Sequence, residues 1–268
     1  PAAKAKDVTV IGGGLAGMEA ARVASLRGHK VTLYEEKDRL GGQWILAATP
    51  PHKGEFMEFI DYQSRQLKNL GVKVELGKAI TAAVINEKKP HVVIIATGAV
   101  PEISSIPGVQ LKNVLTAWDV LAGKDGEKGK KVLVVGGNRV GLETAEFMAA
   151  KGKKVVVVEE TEHLGANIGR TVRWHLLNRL RDDGLEMFRS TKVKEIRENE
   201  VIVTTKEGEE QIWAGIDTVV LAVCARSRNE LAEEIKGLVE EIYIIGDAAE
   251  PRDGVEATRE GAEIGRRI

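Results

Sequence analysis

Gly12, Gly14 and Gly17 stand in a G-x-G-x-x-G spacing directly after the apolar run Val8-Thr9-Val10-Ile11, and Glu35 follows 23 residues after Gly12. Residues of these types at this spacing bind a pyrophosphate and a ribose. The first glycine permits a tight turn out of a strand, the second lets the backbone approach the pyrophosphate, and the third lets a helix lie close on the sheet. The helix start then turns free N–H groups and the positive end of its dipole toward the phosphates. A carboxylate at about the spacing of Glu35 accepts hydrogen bonds from ribose hydroxyls. A glycine turn can also serve packing alone, but here the strand, the helix and the acid accompany it.

The same arrangement recurs 124 residues later. Val132-Leu133-Val134-Val135 leads into Gly136, Gly137 and Gly141, and Glu159 takes the place of Glu35. The register continues without a gap through Gly28 and Gly152, Val31 and Val155, and Leu40-Gly41 and Leu164-Gly165. Two dinucleotide-binding βαβ units are therefore expected. In the second, Asn138 replaces the middle glycine, and its side chain is expected to crowd the surface where a pyrophosphate would lie. A carboxylate at Glu159 accepts a 2′-hydroxyl and repels a 2′-phosphate, which favours NADH over NADPH. A degenerate second unit kept as scaffold remains an alternative.

The elements that position these residues can be read from hydrophobic spacing. Ala16, Ala20, Ala21 and Ala24 keep the first helix narrow. Phe56, Phe59, Ile60, Leu67 and Leu70 recur at helical spacing over about 55–70, before a strand from Val72 to Leu76. In the second half Ile168, Val172, Leu176, Leu177 and Leu180 form the matching apolar face. Lys206-Glu207-Gly208-Glu209 reads as a hairpin turn. The strand His91–Ile95 ends in Ala96-Thr97-Gly98, whose small residues let backbone pass close to a ligand. The strand from Ile242 ends in Gly246-Asp247, followed by a helix from about Val255 to Ile268.

Composition narrows the classes. In 268 residues, 39 Lys and Arg mix with 40 Asp and Glu for a net charge of −1, which gives no electrostatic ground for nucleic acid or anionic membrane. No apolar run approaches the roughly 20 residues of a membrane span and no signal-peptide pattern opens the chain, so a cytoplasmic setting is expected. With Cys224 as the one cysteine, an internal disulfide, a CxxC pair and a cysteine-ligated cluster are excluded. Cys224 itself is expected to be a buried small hydrophobe. The histidines at 29, 52, 91, 163 and 175 lack metal-ligand spacing and read as exposed or capping residues. A chain opening at Pro1 is expected to be processed or excised from something longer.

The order GxGxxG, Arg39-Leu40-Gly41-Gly42, Ala96-Thr97-Gly98, second glycine turn and final Gly246-Asp247 resembles the glutathione-reductase-like flavoproteins with two dinucleotide-binding domains. Gly41-Gly42-Gln43, the stretch Val114 to Gly123 and Gly141-Leu142-Glu143-Thr144-Ala145 narrow the resemblance. They look like the C-terminal half of the iron–sulfur flavoenzymes that include 2,4-dienoyl-CoA reductase and trimethylamine dehydrogenase. This resemblance implies an α/β chain of two Rossmann-like domains, with a discontinuous FAD domain (1–105 and 228–268) around an NAD domain (106–227). It further implies that Gly12, Gly14, Gly17 and Glu35 hold the ADP half of FAD, with Arg39, Gly42 and Gln43 beside it. Thr97 and Gly98 would pass the pyrophosphate side, Gly246 and Asp247 would hold the flavin end, and Glu143 would touch the nicotinamide.

The implied reaction is hydride transfer from NADH to FAD, with electrons leaving for an FMN and 4Fe-4S domain or subunit. That partner resembles an Old-Yellow-Enzyme-like barrel of about 250 residues, which this chain cannot contain. Positioning suffices for the hydride step, so no catalytic acid–base residue and no metal ligand is assigned, and the small-molecule substrate is expected to bind elsewhere. Two departures stand out: Asn138, and Cys224 where the repeat has Gly98, with Arg226 two residues on. They keep open a second class of function, a nucleotide-binding module that holds ADP or FAD structurally without hydride transfer.

Overall fold

The computed structural model describes residues 1–124 and 129–268. The elements used below run along the chain as Asp7–Ile11 (β1), Leu15–Leu26 (α1), Lys30–Tyr34 (β2), Glu55–Asn69 (α2), Lys73–Glu75 (β3) and Val92–Ile95 (β4). Next come Val114–Thr116 (β5), Lys131–Val135 (β6), Arg139–Ala150 (α3), Lys154–Val158 (β7), Arg170–Asp182 (α4) and Glu186–Phe188 (β8). Lys192–Ile196 (β9), Glu200–Thr204 (β10), Glu210–Ala214 (β11), Thr218–Leu221 (β12), Glu241–Ile244 (β13) and Gly254–Arg267 (α5) complete them. The chain divides into two compact units. One comprises residues 1–48, 54–100 and 225–268, the other residues 49–53 and 101–224.

In the first unit a parallel sheet runs in the order β13-β4-β1-β2-β3. β1 and β4 are apolar without alternation because helices cover both faces of a parallel sheet. The alanines of α1 meet glycines of α5: a Cβ on Gly261 would lie 2.4 Å from the Ala16 carbonyl oxygen, and one on Gly265 would lie 2.7 Å from Val23 Cβ. These glycines cost helix propensity, about 1 kcal/mol each, and permit a helix contact that larger residues would block. His29 is buried rather than exposed, and takes the Lys6 amide on Nδ1 at 3.2 Å. His91 takes the neighbouring Asp7 amide at 3.0 Å, so both histidines cap the entry to β1.

The second unit repeats this plan with sheet order β5-β12-β6-β7-β8, all parallel. One face packs on α3 and α4 through Val132, Val134, Leu142, Leu176 and Leu180. On the other face, Leu133, Val156, Val158 and Val219 meet Val193, Val201 and Val203 of an antiparallel sheet, β9-β10-β11. The hairpin at 206–209 joins β10 to β11, with Gly208 at φ 81° and the Thr205 amide on the Glu209 carbonyl. Two expected burials fail. Val172, in the first turn of α4, is 63% exposed, while Leu176 and Leu180, one and two turns further on the same stripe, are buried. Cys224 is exposed, because the chain has already left β12 when it reaches that position.

Candidate functional site

The glycine turn of the first unit is built by contacts that leave no room for side chains, with one exception. A Cβ on Gly12, which sits at φ 106°, would lie 2.2 Å from the Ala96 carbonyl oxygen, and one on Gly17 would lie 1.9 Å from the Gly12 carbonyl oxygen. Gly14 differs. Its backbone is at φ −76°, ψ −173°, a conformation any residue adopts, and a Cβ there meets nothing within 4 Å. The protein's own packing does not require a glycine at 14. No side chain caps α1, and the amides of Leu15, Ala16 and Gly17, which have no intrahelical acceptor, find none among the described residues.

The other residues expected at this site converge on the carboxyl ends of β1, β2, β4 and β13, where open parallel sheets hold ligands. Glu35 is buried, and its two oxygens accept the Gly13 amide at 2.7 Å and the Lys37 amide at 2.9 Å. It thus braces the glycine turn, and each oxygen keeps a lone pair for a hydroxyl. A Cβ on Gly42, at φ 54°, would lie 3.1 Å from Gly14 Cα, and one on Gly98 would lie 3.0 Å from Gln43 Nε2. Gln43 also hydrogen-bonds the Asp247 carboxylate. Burial raises the Asp247 carboxyl above its ordinary value, against the Arg252 amide at 3.1 Å, the Arg252 charge and Gln43. Gly246 donates its amide to Glu260 at 2.7 Å. Arg39 is exposed and has no partner among the described residues.

Sequence reasoning missed Arg228. Its guanidinium grips the Glu36 carboxylate with both arms, at 2.7 and 2.8 Å, while its amide donates to the Gly98 carbonyl at 3.0 Å. Its carbonyl accepts the Thr97 hydroxyl. One residue therefore ties the returning segment both to the turn after β4 and to the turn after β2. No motif marks it, since the pairing spans 192 positions.

The second unit reproduces the frame. A Cβ on Gly136 would lie 2.3 Å from the Ala222 carbonyl oxygen, one on Gly141 would lie 1.9 Å from the Gly136 carbonyl oxygen, and Glu159 accepts the Gly137 and Thr161 amides at 2.7 and 2.9 Å. The Asn138 side chain lies at the start of α3, where it was expected to crowd a pyrophosphate, and it is bonded there to the chain itself. Its Oδ1 accepts the Gly141 amide at 3.1 Å and its Nδ2 donates to the Ala222 carbonyl at 2.5 Å, so the side chain caps α3 and ties it to the end of β12. Asn167 Oδ1 accepts the Arg139 amide at 2.9 Å. Glu143, in the first turn of α3, forms an ion pair with Lys53, which nothing in the local sequence announced. Both side chains are largely withdrawn from solvent, 12% and 21% exposed, so the pair strongly fixes the direction of the carboxylate.

Comparison with known proteins agrees with this geometry. Residues 6–261 match the family described as pyridine nucleotide-disulphide oxidoreductase. The chain is 38% identical over 290 residues to a metal reductase of Desulforamulus reducens, covering 96% of this chain and 43% of that protein. It is 35% identical over 266 residues to an NADH oxidase of Thermoanaerobacter brockii, covering 98% of this chain and 41% of that protein. A solved structure of 2-naphthoyl-CoA reductase superposes with a TM-score of 0.95 at 34% identity, covering 100% of this chain and 40% of that one. The chain thus spans about two-fifths of the length of these relatives.

Proposed function

The chain belongs to the pyridine nucleotide-disulphide oxidoreductase family, whose members bind FAD and NAD(P)H, and from that premise we propose that it is the electron-entry module of a larger flavoenzyme. In this reading the first unit holds FAD and the second holds NADH in preference to NADPH. Bound FAD would supply the two-electron acceptor for a hydride and hand the electrons to an FMN and 4Fe-4S domain or subunit. That partner, the organic substrate it serves and a cytoplasmic setting belong to the same proposal. The relatives' activities, reduction and NADH oxidation, and their greater length support it.

The observation that carries the reading is Gly14. Its missing Cβ faces open space beside the unpartnered amides of α1, so the glycine clears a surface for something the chain does not itself provide. A diphosphate fits that surface: these free N–H donors and a helix dipole meet its charge. Glu35, bonded to the Gly13 amide of the same turn, has acceptor capacity left for ribose hydroxyls. Asp247, half-buried and held by Gln43, presents an oxygen at the carboxyl end of the sheet for a ribityl hydroxyl. The residues orient the cofactor and supply no proton.

Denaturing the purified or FAD-reconstituted chain and identifying the released nucleotide tests the reading. Release of FAD, together with bleaching of the bound flavin by NADH under anaerobic conditions, is the expected result. Release of ADP alone, from a chain that cannot be loaded with FAD, would transfer the assignment to a structural nucleotide-binding module.

A further inference from the structure

The two units share a frame but treat the start of their glycine-turn helices in opposite ways. At α1 the position after the turn is a glycine without a side chain, and the residue one repeat before Asn167, which is Gln43, turns away to Asp247 and the Gly98 turn. At α3 two asparagines turn inward. Asn138 takes the Gly141 amide and Asn167 takes the Arg139 amide, so two of the three first-turn donors are already bonded by the chain's own side chains. A second tie holds Asn138 in place, since its Nδ2 bonds the Ala222 carbonyl and thereby closes a bridge from helix start to strand end.

We infer that Asn138 and Asn167 are a built-in plug of the second nucleotide site, setting its affinity by occupying the donors that a pyrophosphate would take. The inference rests on the reading of the second unit as the nicotinamide-nucleotide domain. A diphosphate arriving at α3 must first displace both amide oxygens, whereas one arriving at α1 displaces water. The plug is graded. Asn138 is half-buried and held at both ends of its amide, while Asn167 is exposed and makes one bond, so Asn138 carries the larger share. A nucleotide on the second unit is therefore held loosely and exchanges quickly, as suits a consumed reductant, while the first unit retains its cofactor.

The test is calorimetric titration of the FAD-loaded chain with NAD⁺, which occupies the site without reducing the flavin. Asn138→Gly removes the main plug and restores the backbone approach that a glycine allows. Glycine at a helix N-cap costs only a few tenths of a kcal/mol relative to asparagine, so the variant keeps its fold. Its NAD⁺ dissociation constant is expected to fall about tenfold, the worth of about 1.4 kcal/mol. Asn167→Ala should give a smaller gain, and the double variant the largest. An unchanged or weaker NAD⁺ affinity in Asn138→Gly overturns the inference, as does absence of binding by both wild type and variant. Failure of the function itself reads out separately, as absence of flavin bleaching by NADH in every variant.

Discussion

Gly14 and Asn138 adopt the same backbone conformation, φ −76°, ψ −173° and φ −75°, ψ −178°, at the starts of equivalent helices. Asn138 shows that this conformation accepts a side chain, and the empty surroundings of Gly14 show that one would fit there too. Gly14→Asn should therefore fold normally and install on α1 the cap that α3 already has. Its FAD affinity should drop by about tenfold or more, since the introduced amide competes with the phosphate for the first-turn donors. Its melting temperature should stay within a few degrees of wild type. Retention of flavin through gel filtration and a titrated dissociation constant check this. Undiminished FAD affinity would remove the pyrophosphate from Gly14.

Arg228 makes a second prediction. Both it and Glu36 are about two-fifths exposed, 43% and 39%, so their ion pair contributes only about 0–1 kcal/mol to the fold. Its larger effect is on the Thr97-Gly98 turn, which the same residue's backbone holds. The Arg228 guanidinium lowers the Glu36 carboxyl below the ordinary carboxylate range. The pair's contribution is therefore full above that range and is lost as pH falls through the lowered value. Arg228→Met should lower the melting temperature by only a few degrees at pH 7 and speed FAD release several-fold, and the stability gap should close in acid. A gap that widens in acid contradicts the assignment.

How much of this was legible in the sequence depended on whether the signal was local. The βαβ frames, the helix over 55–69, the hairpin at 206–209 and the C-terminal helix were readable because each rests on periodicity or on glycine spacing within some 30 residues. Val172 shares the stripe of Leu176 and Leu180 yet is exposed, because helical spacing fixes a face and not how far along the helix the core covers it. Cys224 lies three residues past the end of β12, as Gly98 lies three past β4, so its place in the repeat was legible; its burial was not, since a small apolar residue type does not fix exposure in a turn. Lys53, Arg228 and Asn167 were invisible for another reason: each acts through a partner far along the chain, and lysine, arginine and asparagine in turns ordinarily mean only solvation. Asn138 stands out in the sequence as a bulky residue in a glycine turn, but its bonds to Gly141 and Ala222 depend on the fold and carry no local signal.

His29 supplies a prediction about acid stability. The Lys6 amide donates to Nδ1, so Nε2 carries the hydrogen and faces the Ile268 carbonyl at 3.1 Å, which fixes the ring as a neutral tautomer. Burial lowers its pKa, aided by the charges of Arg27 and Lys6 and opposed by the Ile268 carbonyl and Glu241. The unfolded chain takes up a proton near pH 6.5, while the folded chain declines it until a lower pH. Stability should therefore fall as pH drops below about 6.5 and level off below the folded value. His29→Gln, which can accept from Lys6 and donate toward Ile268 without titrating, should flatten that slope between pH 7 and 5. Parallel slopes in urea melts of the two proteins would assign the pH dependence to other groups.

The last prediction concerns the electron exit. The chain spans about two-fifths of its relatives, and among its described residues no group of three or more His, Cys, Asp or Glu side chains converges to hold a metal. On the proposed reading, the chemistry of the isolated chain should end at the flavin. With NADH, the FAD-loaded chain should reduce artificial acceptors such as ferricyanide or dyes. An enoyl thioester or an amine should remain unconsumed over many times the same interval. In the proposed assembly Val255, an apolar side chain 72% exposed at the first turn of α5, would lie against the acceptor protein. Val255→Glu should therefore leave dye reduction intact and slow transfer to a separately expressed FMN and 4Fe-4S partner by several-fold. Turnover of an organic substrate by the isolated chain, at a rate comparable to dye reduction, would show that it carries a substrate site of its own.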